Sequence, residues 1–383
     1  MGERGFATSE FEARLARAQA MMAAHDLDAL FLTTEPEVRY FTGYLTRFWA
    51  SPTRPWFLIV PARGKPIAVI PGIGAALMAQ TWVEDIRTWS APDLQDDGVS
   101  LLAETLREVV PRAGRIGLPD GHETHLRMPL ADLERVRSAL EGRRIVGDAG
   151  IIRALRMVKS PAEIMKIETA CAIAARAFAR VAEFAREGAA LDRVFRQFQM
   201  TCLGEGADWV PYLAGGAEQG GYTDVISPAR EIPLVSGDVL MLDTGLVWDG
   251  YFCDYDRNWS VGVPAPVVAT GFAQLVEASD AAFGIARPGA TAADLFHAMQ
   301  EVLARNGETT DAGRLGHGLG MSLTEWPSLI PSDHTVLEVG MVLTLEPGIA
   351  LGDRILVHEE DIVITESGAR YLSPHLGPEL AVI

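Results

Sequence analysis

One predicted hairpin that carries three aspartates constrains this sequence more than any other feature. Asp249-Gly250 is a strong signal for a two-residue turn, because glycine tolerates the positive φ that such a turn needs. If the chain reverses there, the strand register follows by addition, and Asp243 lies opposite Asp256. Side chains alternate between the two faces of a strand, so Asp243, Asp254 and Asp256 are predicted to share one face.

The environment of that face decides between a metal site and a solvated polar edge. Gly245 is predicted opposite Asp254, where it leaves space open between the carboxylates. Aspartates this close repel one another, which raises their pKa unless a cation lies between them. The same strands carry large apolar residues: Val239, Leu240, Met241, Leu242, Phe252 and Trp259. Strands this apolar are usually buried, and buried carboxylates need partners, so a metal site is the favoured interpretation.

Composition limits the class of protein. The chain has 383 residues, enough for two domains or one large domain, and 48% of them are hydrophobic. A net charge of −18 argues against binding to nucleic acid or to anionic membrane surfaces. Cys171, Cys202 and Cys253 are a sparse, odd set that indicates reduced thiols in a cytoplasmic protein. No apolar run approaches the ~18 residues of a membrane-spanning helix.

Helix and strand patterns divide the chain into two predicted domains. Residues 1–150 alternate between helices and short apolar strands, which predicts a small α/β domain. A clear helix start follows, with Ser160 as N-cap, Pro161 at the first helical position and Glu163 completing a capping box. Residues 151–383 then predict an α+β domain in which helices cover a curved antiparallel sheet.

Three later segments add candidate functional residues. His317 lies between glycines, where backbone can approach a ligand closely. Glu346 ends an apolar strand before a Pro-Gly turn, and Glu359 and Glu360 lie within another predicted strand. Each residue also has a purely structural interpretation. Alternation alone cannot say which of Glu359 and Glu360 faces away from the core.

Taken in this order, the segments resemble the pita-bread metallohydrolase family, which includes methionine aminopeptidase, Xaa-Pro dipeptidase, aminopeptidase P and creatinase. The resemblance extends to EPEVRYFTGYL in the N-terminal domain and to LRMVKSPAEI at the domain junction. It implies a pita-bread catalytic domain behind a creatinase-like α/β domain, and it selects Glu360 over Glu359. It also implies two divalent metal ions, with Mn²⁺ favoured over Fe²⁺, Co²⁺ or Zn²⁺. The metal ligands that it implies are Asp243, Asp254, His317, Glu346 and Glu360.

Two histidines that peptidases of this family usually carry near the metals are missing here. None lies in the stretch PYLAGGAEQGGYTDVISPAREIP, and the family's HExP motif reads TEWP, with Thr324 in place of histidine. Asp256 replaces a usual Thr or Ser, and His358 lies where proline-specific members often carry Arg. Dimethylsulfoniopropionate lyases of this fold share the EWP sequence and a loop tryptophan resembling Trp49, although their catalytic Asp corresponds to Thr324.

The resemblance therefore implies a dinuclear metallohydrolase that cleaves a C–N bond of a small-molecule or dipeptide substrate. Its implied catalytic residues are Glu346, as ligand and general base, with Thr324 and Glu325. Its implied substrate-binding residues are Trp49, Asp256, Trp326 and His358. The alternatives are a lyase that acts on a sulfonium or betaine-like osmolyte, and a metal-free binding module.

Two further questions stay open at this point. The missing histidines have three candidate replacements, namely Asp224, Asp256 and His358. The family implies a homodimer in which the loop holding Trp49 lines the substrate pocket. The alternative for that loop is an aromatic cluster internal to the N-terminal domain.

Overall fold

The computed structural model describes residues 3–306 and 313–383, and the chain divides into two units after Arg156. The first unit is Arg4–Arg156, and the second comprises Met157–Ile383 together with Glu3. The sequence pattern places the boundary at residue 150, just before the helix Ile151–Met157 that leads from one unit to the next.

A six-stranded mixed sheet organises the first unit. Its strands are β1 (Ala29–Leu32), β2 (Phe57–Pro61), β3 (Ile67–Pro71), β4 (Asp85–Trp89), β5 (Arg115–Leu118) and β6 (Arg144–Gly147). Their order is β4-β3-β2-β1-β5-β6, with β2 antiparallel to both its neighbours and the other pairs parallel. The sequence pattern predicts β1, β2, β3 and β6 but not β4 or β5.

Helices alternate with these strands, as the pattern predicts for an α/β domain. They are α1 (Thr8–Ala24), α2 (Glu35–Thr42), α3 (Ala75–Met78), α4 (Val99–Val109), α5 (Leu130–Ala139) and α6 (Ile151–Met157). Phe31 and Phe57 of the sheet pack with Leu102 and Leu106 of α4 and Val136 of α5, and all five are buried. Burying a side chain of this size contributes about 1.5–3 kcal/mol to the free energy of unfolding.

Two five-stranded sheets organise the second unit. The first contains β7 (Trp209–Gln219), β8 (Asp238–Trp248), β9 (Tyr251–Phe252), β10 (Tyr255–Ser260) and β18 (Ala381–Val382). The second contains β11 (His317–Gly318), β12 (Glu325–Ser328), β13 (Val342–Leu345), β16 (Glu360–Thr365) and β17 (Gly368–Tyr371). Between β13 and β16, a separate hairpin is formed by β14 (Gly348–Leu351) and β15 (Arg354–Val357).

The strand order places the charged residues named above near one another. The first sheet runs β18-β10-β8-β7 with β9 extending β8, and the second runs β12-β11-β13-β16-β17. The sequence pattern predicts one continuous strand over residues 355–365. The structure instead breaks it at His358 and Glu359, so that β15 pairs with β14 and β16 pairs with β13.

Helices cover these sheets, and their starts follow capping rules. They are α7 (Pro161–Phe178), α8 (Leu191–Gly204), α9 (Pro266–Ile285) and α10 (Ala292–Leu303). The predicted capping box of α7 is confirmed, because Ser160 Oγ accepts the Glu163 N–H at 3.3 Å and Glu163 Oε2 accepts the Ser160 N–H at 2.9 Å. Among the described residues, no helix combines the length and apolarity that crossing a bilayer requires.

Candidate metal centre

The predicted hairpin forms, and its register is confirmed. Asp249 and Gly250 have φ values of 47° and 81°, the left-handed conformation of a two-residue hairpin turn. Asp243 on β8 pairs with Asp256 on β10. Asp254 lies just before β10, where the chain leaves the sheet for two residues.

The space beside Gly245 is filled, contrary to the expectation that it lies open. A Cβ at this position would lie 2.1 Å from Leu323 Cδ1 and 3.3 Å from Tyr212 Cβ. Glycine is therefore needed for close packing rather than for an open cavity. The contact also holds the segment that contains Leu323 and Thr324 against the hairpin.

Asp254, His317 and Glu359 form the core of the site. One ligand atom of each lies within 4.8 Å of the others, and all three side chains are buried. His317 Nε2 is 3.4 Å from Asp254 Oδ2. Three separate parts of the second unit supply them, since Asp254 precedes β10, His317 begins β11 and Glu359 precedes β16.

His317 is arranged as a neutral metal ligand would be. Its Nδ1 lies 2.8 Å from the carbonyl oxygen of Gly318, a distance at which Nδ1 donates its proton. That tautomer leaves a lone pair on Nε2, which faces Asp254. Burial lowers the pKa of His317 to about 4, so the imidazole is neutral near pH 7.

Burial and mutual repulsion disfavour the charged forms of the clustered carboxylates. The pKa of Asp243 is raised well above its usual range by burial and then by the charges of Asp256 and Glu346. Burial, followed by the charge of Asp243, does the same to the pKa of Asp254. Burial, followed by Asp254, likewise raises the pKa of Glu359. A group of acids that repel one another in this way is stabilised by a cation.

Glu346 borders the same cluster at the end of β13. Its pKa is raised to about 7, by burial first and by the charge of Asp256 second. Arg314 acts in the opposite direction and lowers the pKa of Glu346. A carboxyl group with a pKa near neutrality can accept and return a proton at physiological pH.

The oxygens of the cluster fit a divalent cation. Asp243 Oδ1 and Glu359 Oε1 are buried and accept no hydrogen bond within the described part of the chain. Unpaired carboxylate oxygens are costly in a protein interior. Together with the Nε2 lone pair of His317, they form a donor set that suits a first-row divalent metal.

The structure does not bring Glu360, the glutamate that the resemblance selects, into the cluster with Asp254 and His317. Glu360 Oε2 accepts hydrogen bonds from Arg257 Nη2, at 3.1 Å, and from Ser373 Oγ. Its neighbour Glu359 is the residue that meets Asp254 and His317. The break between β15 and β16 explains the difference, because the regular alternation assumed for one long strand does not extend across His358 and Glu359.

Asp256 and His358 are buried beside the cluster and do not face solvent. Both are 0% exposed. Asp256 Oδ1 accepts the Glu359 N–H at 2.9 Å, and Asp256 Oδ2 accepts a hydrogen bond from Asn258 Nδ2 at 3.1 Å. His358 lies between two acids, with Nδ1 3.5 Å from Asp256 Oδ1 and Nε2 3.6 Å from Glu360 Oε1. These contacts do not support the expectation that Asp256 and His358 bind substrate directly.

The TEWP segment lies beside the strand that carries His317. Glu325 pairs with Lys159 at 3.2 Å, both side chains are buried, and Glu325 Oε1 accepts the Ser322 N–H at 3.0 Å. Trp326 Nε1 donates to Thr335 Oγ1 at 3.0 Å. Glu325 is committed to Lys159, whereas Thr324 and Trp326 are both half-buried.

Trp49 is packed inside the first unit. Its ring lies 5.7 Å from the ring of Trp56, and the Arg127 guanidinium lies 5.0 Å from its centroid. Arg127 also donates hydrogen bonds to the carbonyl oxygens of Ser51 and Arg54. The role of Trp49 at a substrate pocket stays a prediction.

Tyr212 and Asp361 belong to the site but are not apparent from the sequence pattern. Tyr212 is half-buried, and its hydroxyl forms a hydrogen bond with Asp243. Burial, followed by the charge of Asp243, raises the pKa of Tyr212. Asp361 Oδ2 accepts the Asp254 N–H at 3.0 Å and lies 3.3 Å from Cys171 Sγ. Burial raises the pKa of Asp361 to about 8. Tyr212 lies at the site because it pairs with Gly245 across β7 and β8, and the sequence pattern does not predict that register.

Each of the two parts of the chain matches a known family model. A family model described as Metallopeptidase family M24 matches residues 165–366, and one described as Creatinase/Prolidase N-terminal domain matches residues 14–158. The probable dipeptidase PepE of Mycobacterium tuberculosis is 32% identical over 96% of each chain. The Xaa-Pro dipeptidase of Pyrococcus furiosus is 32% identical over 58% of this chain and 65% of its own.

Solved structures with the same fold include a dipeptidase and a prolidase. The dipeptidase PepE of Mycobacterium ulcerans has a TM-score of 0.84 at 30% identity and covers 99% of each chain. A prolidase from Thermococcus sibiricus has a TM-score of 0.86 at 22% identity, over 97% of this chain and 99% of its own, and shows likeness of fold alone. The expected combination of a pita-bread catalytic domain with a creatinase-like N-terminal domain is confirmed.

Exchanging the two neighbouring glutamates for glutamine tests which one holds metal. Glu359→Gln should lower the metal content, because it removes a buried anionic oxygen from the cluster. Glu360→Gln should retain the metal, because its amide oxygen can still accept from Arg257. Elemental analysis after dialysis measures both, with Asp254→Ala as the variant expected to lose metal. Equal losses in the two glutamine variants would contradict the assignment of Glu359.

The metal-free protein should lose stability as the pH rises above about 6.5. Folded-state pKa values near 7 for Glu346 and near 8 for Asp361 exceed their unfolded values, so the folded state binds more protons in this range. Each group can lower the free energy of unfolding by at most about 1.4 kcal/mol per pH unit. Below pH 6.5, the lowered pKa of His317 acts in the opposite direction. Urea unfolding in chelator at pH 6.5, 7.25 and 8 measures the decline, and a flat or rising profile would refute it.

Proposed function

We propose that this chain, which belongs to metallopeptidase family M24, hydrolyses the C–N bond of a dipeptide or similarly small polar substrate. It is a metal-dependent hydrolase by family. We assign its metal ligands to Asp243, Asp254, His317, Glu346 and Glu359. Two ions, with Mn²⁺ preferred because hard oxygen ligands dominate, are part of the proposal.

One observation carries this proposal above the others. Asp243 Oδ1 and Glu359 Oε1 are buried and accept no hydrogen bond from the described residues, and Glu359 lies in one cluster with Asp254 and His317. A binding module without metal would have to leave these oxygens unpaired or protonated. Similarity to a dipeptidase over almost the whole chain supports the dipeptide as the substrate class.

Residues of the chain would transfer protons during hydrolysis and would donate a hydrogen bond to the substrate. When bound, a divalent metal in this family of sites polarises a carbonyl group and lowers the pKa of a water molecule. Glu346 follows β13 at the border of the cluster, and its carboxylate would take a proton from that water and return it to the leaving nitrogen. The half-buried Tyr212 hydroxyl is the donor nearest to Asp243, on the same face of the hairpin.

Tyr212 is a better replacement for the missing histidines than the candidates named from the sequence. Asp224 is exposed and accepts the backbone N–H groups of Ile226 and Ser227. Asp256 and His358 are fully buried. A phenol donates a hydrogen bond to a developing negative charge, but unlike histidine it carries no positive charge near neutral pH.

The lyase alternative is not favoured by the relatives. Those reported above are described as dipeptidases or prolidases, and none is described as a lyase. Assay of dimethylsulfoniopropionate elimination beside dipeptide hydrolysis separates the two classes. A homodimer is also proposed, and sedimentation analysis would detect it.

Xaa-Pro dipeptides should be turned over weakly by the metal-loaded wild type. The reason is that removing one electrostatic donor at a hydrolytic site typically costs about 10²–10³ in kcat. Thr324→His should restore part of this loss, because Thr324 is accessible beside the strand that carries His317. Kinetics with Ala-Pro and Leu-Pro measure both, with Trp326→His as the neighbouring control. A wild-type kcat of about 10² s⁻¹ would overturn this expectation.

Tyr212→Phe should lower kcat by about 10²–10³ while the metal content is unchanged. The substitution removes only the hydroxyl and keeps the ring that packs on Gly245. Tyr371→Phe is the matched control, because its hydroxyl also bonds an aspartate, Asp280, at 3.0 Å. Parallel losses of metal and activity in Tyr212→Phe would assign the hydroxyl to ligand support rather than to substrate.

A further inference from the structure

Two of the proposed ligands occupy equivalent places in the chain. Asp254 is the last residue before β10 and Glu359 is the last residue before β16, and each lies in a two-residue break in the strand. A residue in such a break has lost the regular ladder partner of its N–H. Asp254 is 3% exposed and Glu359 is 2% exposed, so water cannot readily replace that partner.

Each break is closed by an acid from the other strand. The Glu359 N–H donates to Asp256 Oδ1 at 2.9 Å, and the Asp254 N–H donates to Asp361 Oδ2 at 3.0 Å. Asp256 follows Asp254 by two residues, and Asp361 follows Glu359 by two residues. Asp256 therefore holds the backbone of Glu359, and Asp361 holds the backbone of Asp254.

We propose that Asp256 and Asp361 are positioning residues that form a reciprocal clamp on the two ligands Asp254 and Glu359. The clamp itself rests on the two hydrogen bonds, whereas its effect on metal binding rests on the proposed metal centre. Because both bonds join the same two segments, displacing one ligand displaces the other. The clamp therefore fixes the separation of two ligand carboxylates that would otherwise repel each other.

Further contacts orient the two clamping carboxylates. Asp256 Oδ2 accepts from Asn258 Nδ2 at 3.1 Å, and His358 Nδ1 lies 3.5 Å from Asp256 Oδ1. Asp361 Oδ2 lies 3.3 Å from Cys171 Sγ, and the Asp361 N–H donates to Ser373 Oγ at 2.9 Å. Asp256 and Asp361 are both 0% exposed, which fits support of the site rather than contact with substrate.

Hydrogen exchange on the metal-free full chain tests the geometry directly. Asp256→Ala should speed exchange at the Glu359 amide, and Asp361→Ala should speed exchange at the Asp254 amide. This crosswise pattern is the decisive signal, because a residue that only stabilises its own strand would loosen its own segment. Asp280→Ala, which removes an exposed acid of the same unit, should leave both amides unchanged. Loosening confined to the substituted segment would overturn the clamp.

The wild type offers a measurement that does not depend on a variant folding. In the clamp, the Asp254 and Glu359 amides open together, so their protection factors under native conditions should agree once each rate is divided by its intrinsic exchange rate. Clearly different protection factors, with one amide exchanging in a local opening of its own, would overturn the proposal even if the alanine variants unfold.

Mn²⁺ titration then tests what the clamp does. Asp256→Ala and Asp361→Ala should each weaken Mn²⁺ binding by about 10–100-fold, the usual effect of losing a residue that orients a ligand. Asp256→Asn and Asp361→Asn keep an acceptor oxygen and should bind Mn²⁺ more tightly than the alanine variants. Crosswise exchange with unchanged Mn²⁺ affinity would overturn the positioning role. A wild type that binds no Mn²⁺ would refute the proposed metal centre. The hydrogen-exchange experiment would still test the clamp, because it is performed on the metal-free chain.

Discussion

Repulsion among buried carboxylates is the constraint on which the rest of this structure depends. Asp254 and Glu359, from a hairpin and from a segment roughly a hundred residues later, meet in one buried cluster, and burial, together with the charge of Asp243, raises the pKa of both. Two unit charges 4 Å apart repel by about 4 kcal/mol at an effective dielectric constant of 20. Folding without a counter-charge is possible only if some of these acids are protonated, which is what their raised pKa values express. The two sheets and their helices hold this arrangement together until a cation binds.

The sequence predicts those parts of the site that local rules determine. The turn at Asp249-Gly250 has a known geometry, so the pairing of Asp243 with Asp256 follows by counting residues. The start of α7 is equally local, because Ser160 and Glu163 satisfy each other's backbone N–H groups. In each case the interacting residues lie within about a dozen positions of one another.

The parts that the sequence does not predict depend on contacts between distant segments. Glu359 rather than Glu360 faces the site, and its N–H donates to Asp256, about a hundred residues earlier, instead of to a strand partner. Tyr212 enters the site through the register of β7 on β8, which no turn motif determines. Alternation within one assumed strand cannot detect either contact. The resemblance selects Glu360, whereas the structure brings Glu359 to Asp254 and His317.

Hydrogen bonding divides the acids of this region into two groups with different tasks. Asp256 and Asp361 each accept a backbone N–H, so their positions are tied to the main chain of another segment. Asp243, Glu359 and Asp361 each retain a buried oxygen that accepts no hydrogen bond from the described residues, but the other oxygen of Asp361 accepts a backbone N–H. The first group can lose its formal charge and keep its geometry, since an amide oxygen also accepts an N–H. Asp243 and Glu359 have no such backbone partner among the described residues, so a cation is the partner that suits their unpaired oxygens. Two acids separated by one residue, as in Asp254 and Asp256, therefore perform different tasks because only one of them has a backbone partner.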